Sequence, residues 1–168
     1  MAQAVSGHNA KLLREDNGGP DHPGCNCQGA LQSCPVGGDC QATGVVYEAT
    51  VSKVVSGRKE TYTGVTSRRF KDRYYEHRTD MNNIGNRTNS ALCSYVWDLK
   101  DRGVRHEVTW RLKDRGTPFN PTTKKCRICL KEKHYILYKG EGATLNRRSE
   151  IFNSCTHRNK YLLSKWKT

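Results

Sequence analysis

Two short patches, Val45-Val46-Tyr47 and Tyr62-Thr63-Gly64, each put a tyrosine on a segment patterned as a β-strand. Arg73 and His77 follow, four residues apart, and Glu150 and Asn159 come far downstream. Phenol, guanidinium, imidazole and carboxylate are the groups needed to cut a phosphodiester with one divalent metal. That reaction asks for an activated water, relief of charge on the phosphoryl oxygens and a stabilised leaving oxygen. Taken singly, each residue has a plainer use. A strand tyrosine commonly packs a half-buried face, an arginine or histidine on a basic helix is solvated, and Glu150 has Arg147 and Arg148 beside it.

Thiol chemistry is the second candidate. Cys25-x-Cys27-x6-Cys34-x5-Cys40 places four cysteines on a short stretch with Pro35 and Gly37-Gly38 to turn the chain. Four thiolates suit tetrahedral zinc in a segment too short to build a core, with His22 or His8 as an alternative to one ligand. Cys126-x-x-Cys129 with Cys155-x-His157 forms a second candidate set, which would tie the last helix to the one before it and fix where Glu150 points. In the plainer reading Cys155 is core and His157 contacts phosphate. Cys93 falls on the buried side of a helix and reads as a core thiol.

The elements that must position these groups follow from periodicity. Between Gly44 and Val55, Val45, Tyr47, Ala49 and Val51 alternate with Val46, Glu48, Thr50 and Ser52, the period of a strand. Ser56-Gly57 turns the chain and Glu60–Val65 returns as a second strand, closing a hairpin. Phe70, Tyr74 and His77 share one face of a helix that carries Arg73. After an Asn/Gly-rich loop over 82–89, Ser90 caps a helix Ala91–Arg102 with Leu92, Tyr95, Val96 and Leu99 as its buried stripe, and Gly103 ends it. Val104–Leu112 reads as a third strand. Cys126–Tyr138 and Asn146–Cys155 read as helices, and Tyr161-Leu162-Leu163 as a packing segment. The expected class is α+β: a small antiparallel three-stranded sheet flanked by helices, with residues 1–43 as an approach segment and cysteine knuckle and 44–168 as the main domain.

Composition narrows the partners. The 168 residues are 35% hydrophobic, with mean hydropathy −0.85, enough for a modest core. The formal net charge is +13 and uneven: residues 1–43 hold two basic against four acidic side chains, residues 44–168 hold 27 against 12. A domain this basic points to a polyanion, and nucleic acid ahead of a membrane surface. No apolar run is long enough to span a bilayer. The N-terminus lacks a secretory pattern; for a complete chain the expectation is a soluble, intracellular protein, with a disulfide framework disfavoured.

A tyrosine on each strand of a hairpin, an Arg-x3-His helix, and a distant Glu and Asn resemble the GIY-YIG nuclease superfamily over residues 44–163. Val45 stands in place of the first glycine, Gly44 lies one position early, and Thr63 replaces isoleucine. The flanks extend the resemblance. His8–Leu13, Cys25-Asn26-Cys27, Cys34-Pro35, Val45–Val51, Cys126-x-x-Cys129-Leu130-x-Glu132-Lys133, Arg148-Ser149-Glu150-Ile151 and Cys155-x-His157-Arg158-Asn159-Lys160 look like the endonuclease region of Penelope-like retroelements. That resemblance implies a nuclear, metal-dependent DNA endonuclease, nicking a target site for element insertion, whose parent element also encodes a reverse transcriptase. It implies Glu150 as ligand of one Mg²⁺ or Mn²⁺, Arg73 on the scissile phosphate, Tyr47 as base or water holder with Tyr62 assisting, His77 as proton shuttle or phosphate ligand, and Asn159 as an orienting group, with Asn153 as its neighbouring alternative. The contrasting expectation is a catalytically inactive zinc-containing nucleic-acid-binding module. A secreted disulfide protein is the third reading.

Overall fold

A computed structural model describes residues 25, 27, 34–123, 126–138 and 143–146. Three strands, β1 (Val45–Lys53), β2 (Lys59–Thr66) and β3 (His106–Arg115), form one antiparallel sheet in the order β2-β1-β3. Helices α1 (Phe70–Asn82) and α2 (Ala91–Asp101) come between β2 and β3, and α3 (Arg127–Tyr138) follows β3. The architecture is α+β, as expected. Among the described residues no helix is long and apolar enough to cross a membrane.

The valine-rich β1 takes the central position. Its even burial from Val45 to Ala49 differs from the half-buried strand that alternation suggests, because helices cover both faces. Facing α1 and α2, Ala49 and Val51 pack with Met81, Leu92, Cys93, Val96 and Leu99. Beside them Ala42, Val45, Tyr47 and Phe70 form a second cluster. On the α3 side, Cys126, Ile128 and Cys129 pack with Val65 and Phe119.

Helix α1 is strongly polar, yet Phe70, His77 and Met81 lie along one buried stripe. Ser90 caps α2 as its type predicts, its hydroxyl accepting from the Cys93 amide at 3.1 Å. Gly103 ends that helix at φ +65°, a conformation open to glycine at little cost. A short 3-10 turn, Ile84–Asn86, sits within the loop between α1 and α2.

Strand β3 runs further than the sequence pattern indicates, to Arg115, and starts two residues later than expected. A bulge opposite Val46 and Tyr47 extends it: Val46 pairs with Asp114 and Tyr47 with Leu112, leaving Lys113 as the extra residue. Lys113 and Asp114 thereby both face α3. The expected helix from Asn146 does not begin there. Residues 143–146 form a turn along the outer edge of β2, and 147–155 lie outside the described residues, as does Tyr161-Leu162-Leu163. The physical reason is that the Asn146 side chain is committed to β2: its Oδ1 accepts from the Thr63 amide and its Nδ2 donates to the Thr63 carbonyl, both at 2.8 Å. Thr144 and Leu145 bond the Thr61 backbone in the same way.

Candidate active site and metal centre

The cross-strand register sets the geometry. On one face of the sheet Ala49 of β1 is flanked by Tyr62 on β2 and Trp110 on β3. The small alanine leaves a slot between two large aromatics, and His77 of α1 fills it. Its ring centroid lies 6.0 Å from Tyr62, 5.8 Å from Tyr47 and 5.3 Å from Trp110.

Two residue pairs along, on the same face, Tyr47 stands opposite Gly64. The Tyr47 hydroxyl is 2.8 Å from His77 Nε2, and it accepts from Arg73 Nε at 3.1 Å. Arg73 Nη1 also donates to Glu76 at 2.8 Å, and Arg68 donates to the same carboxylate. Tyr47, Arg73 and His77, with Tyr62 against the imidazole, therefore form one connected cluster, assembled from both strands of the hairpin and two successive turns of α1.

Burial governs the protonation states. His77 is fully buried, and its pKa falls to about 3, first through burial and then through the nearby Arg73 charge. It is a neutral imidazole here, not the solvated helix histidine of the plainer reading. Its Nδ1 has no hydrogen-bond partner among the described residues. Tyr47 is also fully buried, and burial pushes its phenol up to about 12, against the opposing pull of Arg73. Burial works against the Arg73 charge, but the Tyr47 hydroxyl and the Glu76 carboxylate outweigh it and hold the guanidinium cationic. Arg73 keeps 29% of its side chain exposed, which makes it the charged member of the cluster with access to solvent. The groove on the outer side of α1 is lined by Asp72, Arg73, Glu76 and Asp80. These three carboxylates partly offset the attraction of Arg73 for an anion.

Gly44, one position ahead of the first patch, has a backbone role. It adopts φ +60°, its carbonyl accepts from the Gly116 amide at 2.8 Å, and a Cβ on it would lie 2.5 Å from the Gly116 oxygen. The structure thus brings together four of the six residues singled out from sequence. Glu150 and Asn159 lie outside the described residues, as does Asn153. Sequence reasoning missed Trp110, Glu76, Asn146 and the Gly64 contact. Trp110 alone had a signal, its alternation with Val108 and Leu112 on β3.

The second centre is the cysteine group. The sulfurs of Cys25, Cys27, Cys34 and Cys40 lie within 4.8 Å of one another, placed to hold a metal ion. Cys40 Sγ is 3.5 Å from Cys25 Sγ and 3.7 Å from Cys27 Sγ. A hydrogen bond from the Cys27 amide is the main cause lowering the Cys25 thiol to about 7, whereas burial and the neighbouring thiols push Cys40 up to about 12. A bound cation would offset the mutual repulsion of four thiolates at this spacing and let all of them ionise together. Of the second candidate set, Cys126 and Cys129 are buried in the α3 cluster, and Cys155 and His157 lie outside the described residues, as do His8 and His22. Cys93 is a core thiol, as expected.

Compared with protein-family models, curated proteins and solved structures, the chain matches none.

Proposed function

We propose that this chain is a metal-dependent DNA endonuclease of the GIY-YIG kind, related to the nucleases of Penelope-like retroelements. The observation that carries the reading is the convergence of Tyr47, Tyr62, Arg73 and His77, far apart in sequence, on one hydrogen-bonded and stacked cluster. The +13 net charge supports a nucleic-acid substrate. In this reading the solvent-facing side of Arg73 meets the scissile phosphate, whose geometry a guanidinium fork matches. Tyr47 and Glu76 hold that fork in place. Neutral His77 shares a proton with the Tyr47 hydroxyl, and half-buried Tyr62 stands beside it nearer the surface. Glu150, four residues after the Asn146 anchor on β2, is assigned to Mg²⁺ or Mn²⁺, which would supply charge relief and an acidified water. The cysteine group takes zinc, since four thiolates favour that ion and its ~2.3 Å bonds set sulfurs about 3.8 Å apart. Nicking of chromosomal target DNA, alongside an element's reverse transcriptase in the nucleus, is the setting that follows.

One observation favours the second reading, an inactive zinc-containing nucleic-acid-binding module. Tyr47 is fully buried with a phenol raised to about 12, which suits a structural anchor better than a base that meets water. A plasmid-nicking assay with Mg²⁺ and with EDTA separates the two. The endonuclease reading expects EDTA to abolish nicking and Arg73→Ala and Glu150→Ala each to lower it by ~100-fold or more. Plasmid binding without nicking, or full cutting by Glu150→Ala, rejects the mechanism.

A further inference from the structure

The first amides of a helix have no partner within it and must find one outside. Arg69, at the cap position of α1, makes no side-chain capping bond. The partners come instead from the cysteine segment. The Phe70 amide donates to the Ala42 carbonyl and the Lys71 amide to the Cys40 carbonyl, both at 2.8 Å. Cys40 therefore supplies a helix-capping oxygen through its backbone and a clustered sulfur through its side chain. Ala42 is buried against the Phe70, Tyr47 and Val45 group. Arg73 follows Lys71 by two residues, and His77 lies one turn further on.

Val36 and Ala42 also pack this segment against the Val45, Tyr47 and Phe70 group. Asp39 pairs with Arg115 at 3.1 Å, but both side chains are exposed, and such a pair contributes little. A stretch this short has no core of its own, and metal coordination would cross-link Cys40 to Cys25, Cys27 and Cys34 and so hold its turns in one arrangement.

We propose that the metal bound by Cys25, Cys27, Cys34 and Cys40 is a positioning element for the Tyr47–Arg73–His77 cluster: it fixes the Cys40–Ala42 backbone as the N-terminal cap of α1. This rests on the zinc reading of the cysteine group and is independent of whether the cluster cuts DNA. Cys40 is a positioning residue, acting through the helix.

The test is amide hydrogen exchange on the full chain, zinc-loaded and chelated, with zinc content measured separately. The expected result is one zinc per chain when loaded, and on chelation a rise of ~tenfold or more in exchange at Phe70 and Lys71, with α2 amides such as Val96 and Leu99 unchanged. Cys27→Ser removes a half-buried ligand that is not part of the cap, and the same local rise is expected in it without chelator. Zinc bound but exchange at Phe70 and Lys71 unaltered overturns the coupling while leaving the zinc reading intact. Exchange rising equally in α2 also overturns it, since the metal would then be a general stabiliser. Absence of zinc rejects the metal reading, and the coupling with it.

Discussion

Gly64 lies directly against the Tyr47 phenol: a Cβ built on it would sit 2.6 Å from the hydroxyl oxygen and 2.7 Å from the ring carbon that bears it. The glycine of the second patch is therefore the floor on which the tyrosine of the first patch rests. The phenol has little room to give way, being packed edge-on to Phe70 and His77 and bonded to Arg73 and His77. Gly64→Ala is expected to destabilise the fold by about 1–3 kcal/mol, the usual cost of overpacking a filled core. It should also break the Tyr47–His77 bond. Urea denaturation checks the first and the His77 imidazole NMR signals the second. Wild-type stability with an unchanged imidazole spectrum contradicts the geometry.

His77 gives the fold an acid sensitivity whose sign follows from burial. Its folded pKa of about 3 lies below the ordinary value of 6.5, so the unfolded chain binds the extra proton first as pH falls. The contribution is present above the unfolded value and is lost as pH drops from it toward the folded one. Between about pH 7 and about pH 5 the loss should be about 2 kcal/mol, at 1.36 kcal/mol per pKa unit. Denaturant midpoints at the two pH values, with His77→Gln beside wild type, measure it. The variant should lose most of this slope.

Glu48 carries the opposite face of the sheet. It is almost fully buried, bonded to Arg111 at 2.6 Å and paired with Lys113, whose side chain is 10% exposed. Lys113 also lies 4.8 Å from the Tyr135 ring centroid on α3. Glu48→Ala leaves that lysine buried without its counter-charge and should cost about 3–5 kcal/mol. A double variant that also replaces Lys113 with Met should recover much of the loss. Chemical denaturation of the four chains of this cycle gives the coupling.

Asn146 acts on β2 as a single-residue strand, exchanging two hydrogen bonds with Thr63. Asn146→Ala is expected to cost about 1–3 kcal/mol, two hydrogen bonds at the usual net value of each. The Thr63 amide should lose its exchange protection, while amides of α2 keep theirs. Unchanged protection at Thr63 would mean that the bonds do not persist in solution.

Much of the fold was legible because it is local. The alternation of β1, the Ser90 cap, the Gly103 stop and the breaker at Ser56-Gly57 each depend on a few neighbouring residues, and they stand where the sequence puts them. The site was legible in part. Tyr47, Tyr62, Arg73 and His77 could be named because residue type and spacing survive in a linear reading.

Their states could not be read. Whether His77 is a solvated base or a neutral buried ring depends on Ala49, Tyr62 and Trp110 arriving from three strands, a matter of register. The same holds for Glu48, which alternation assigns to a polar face until α3 covers it, and for Asn146, which looks helical until its amide meets Thr63. Sequence by itself determined the elements, the basic charge and the chemical groups on offer, since these are short-range or compositional properties. Tertiary structure alone decided which groups touch, which lose their water, and that the cysteine segment caps the helix bearing Arg73 and His77. Desolvation and cross-strand contact arise only when distant segments pack.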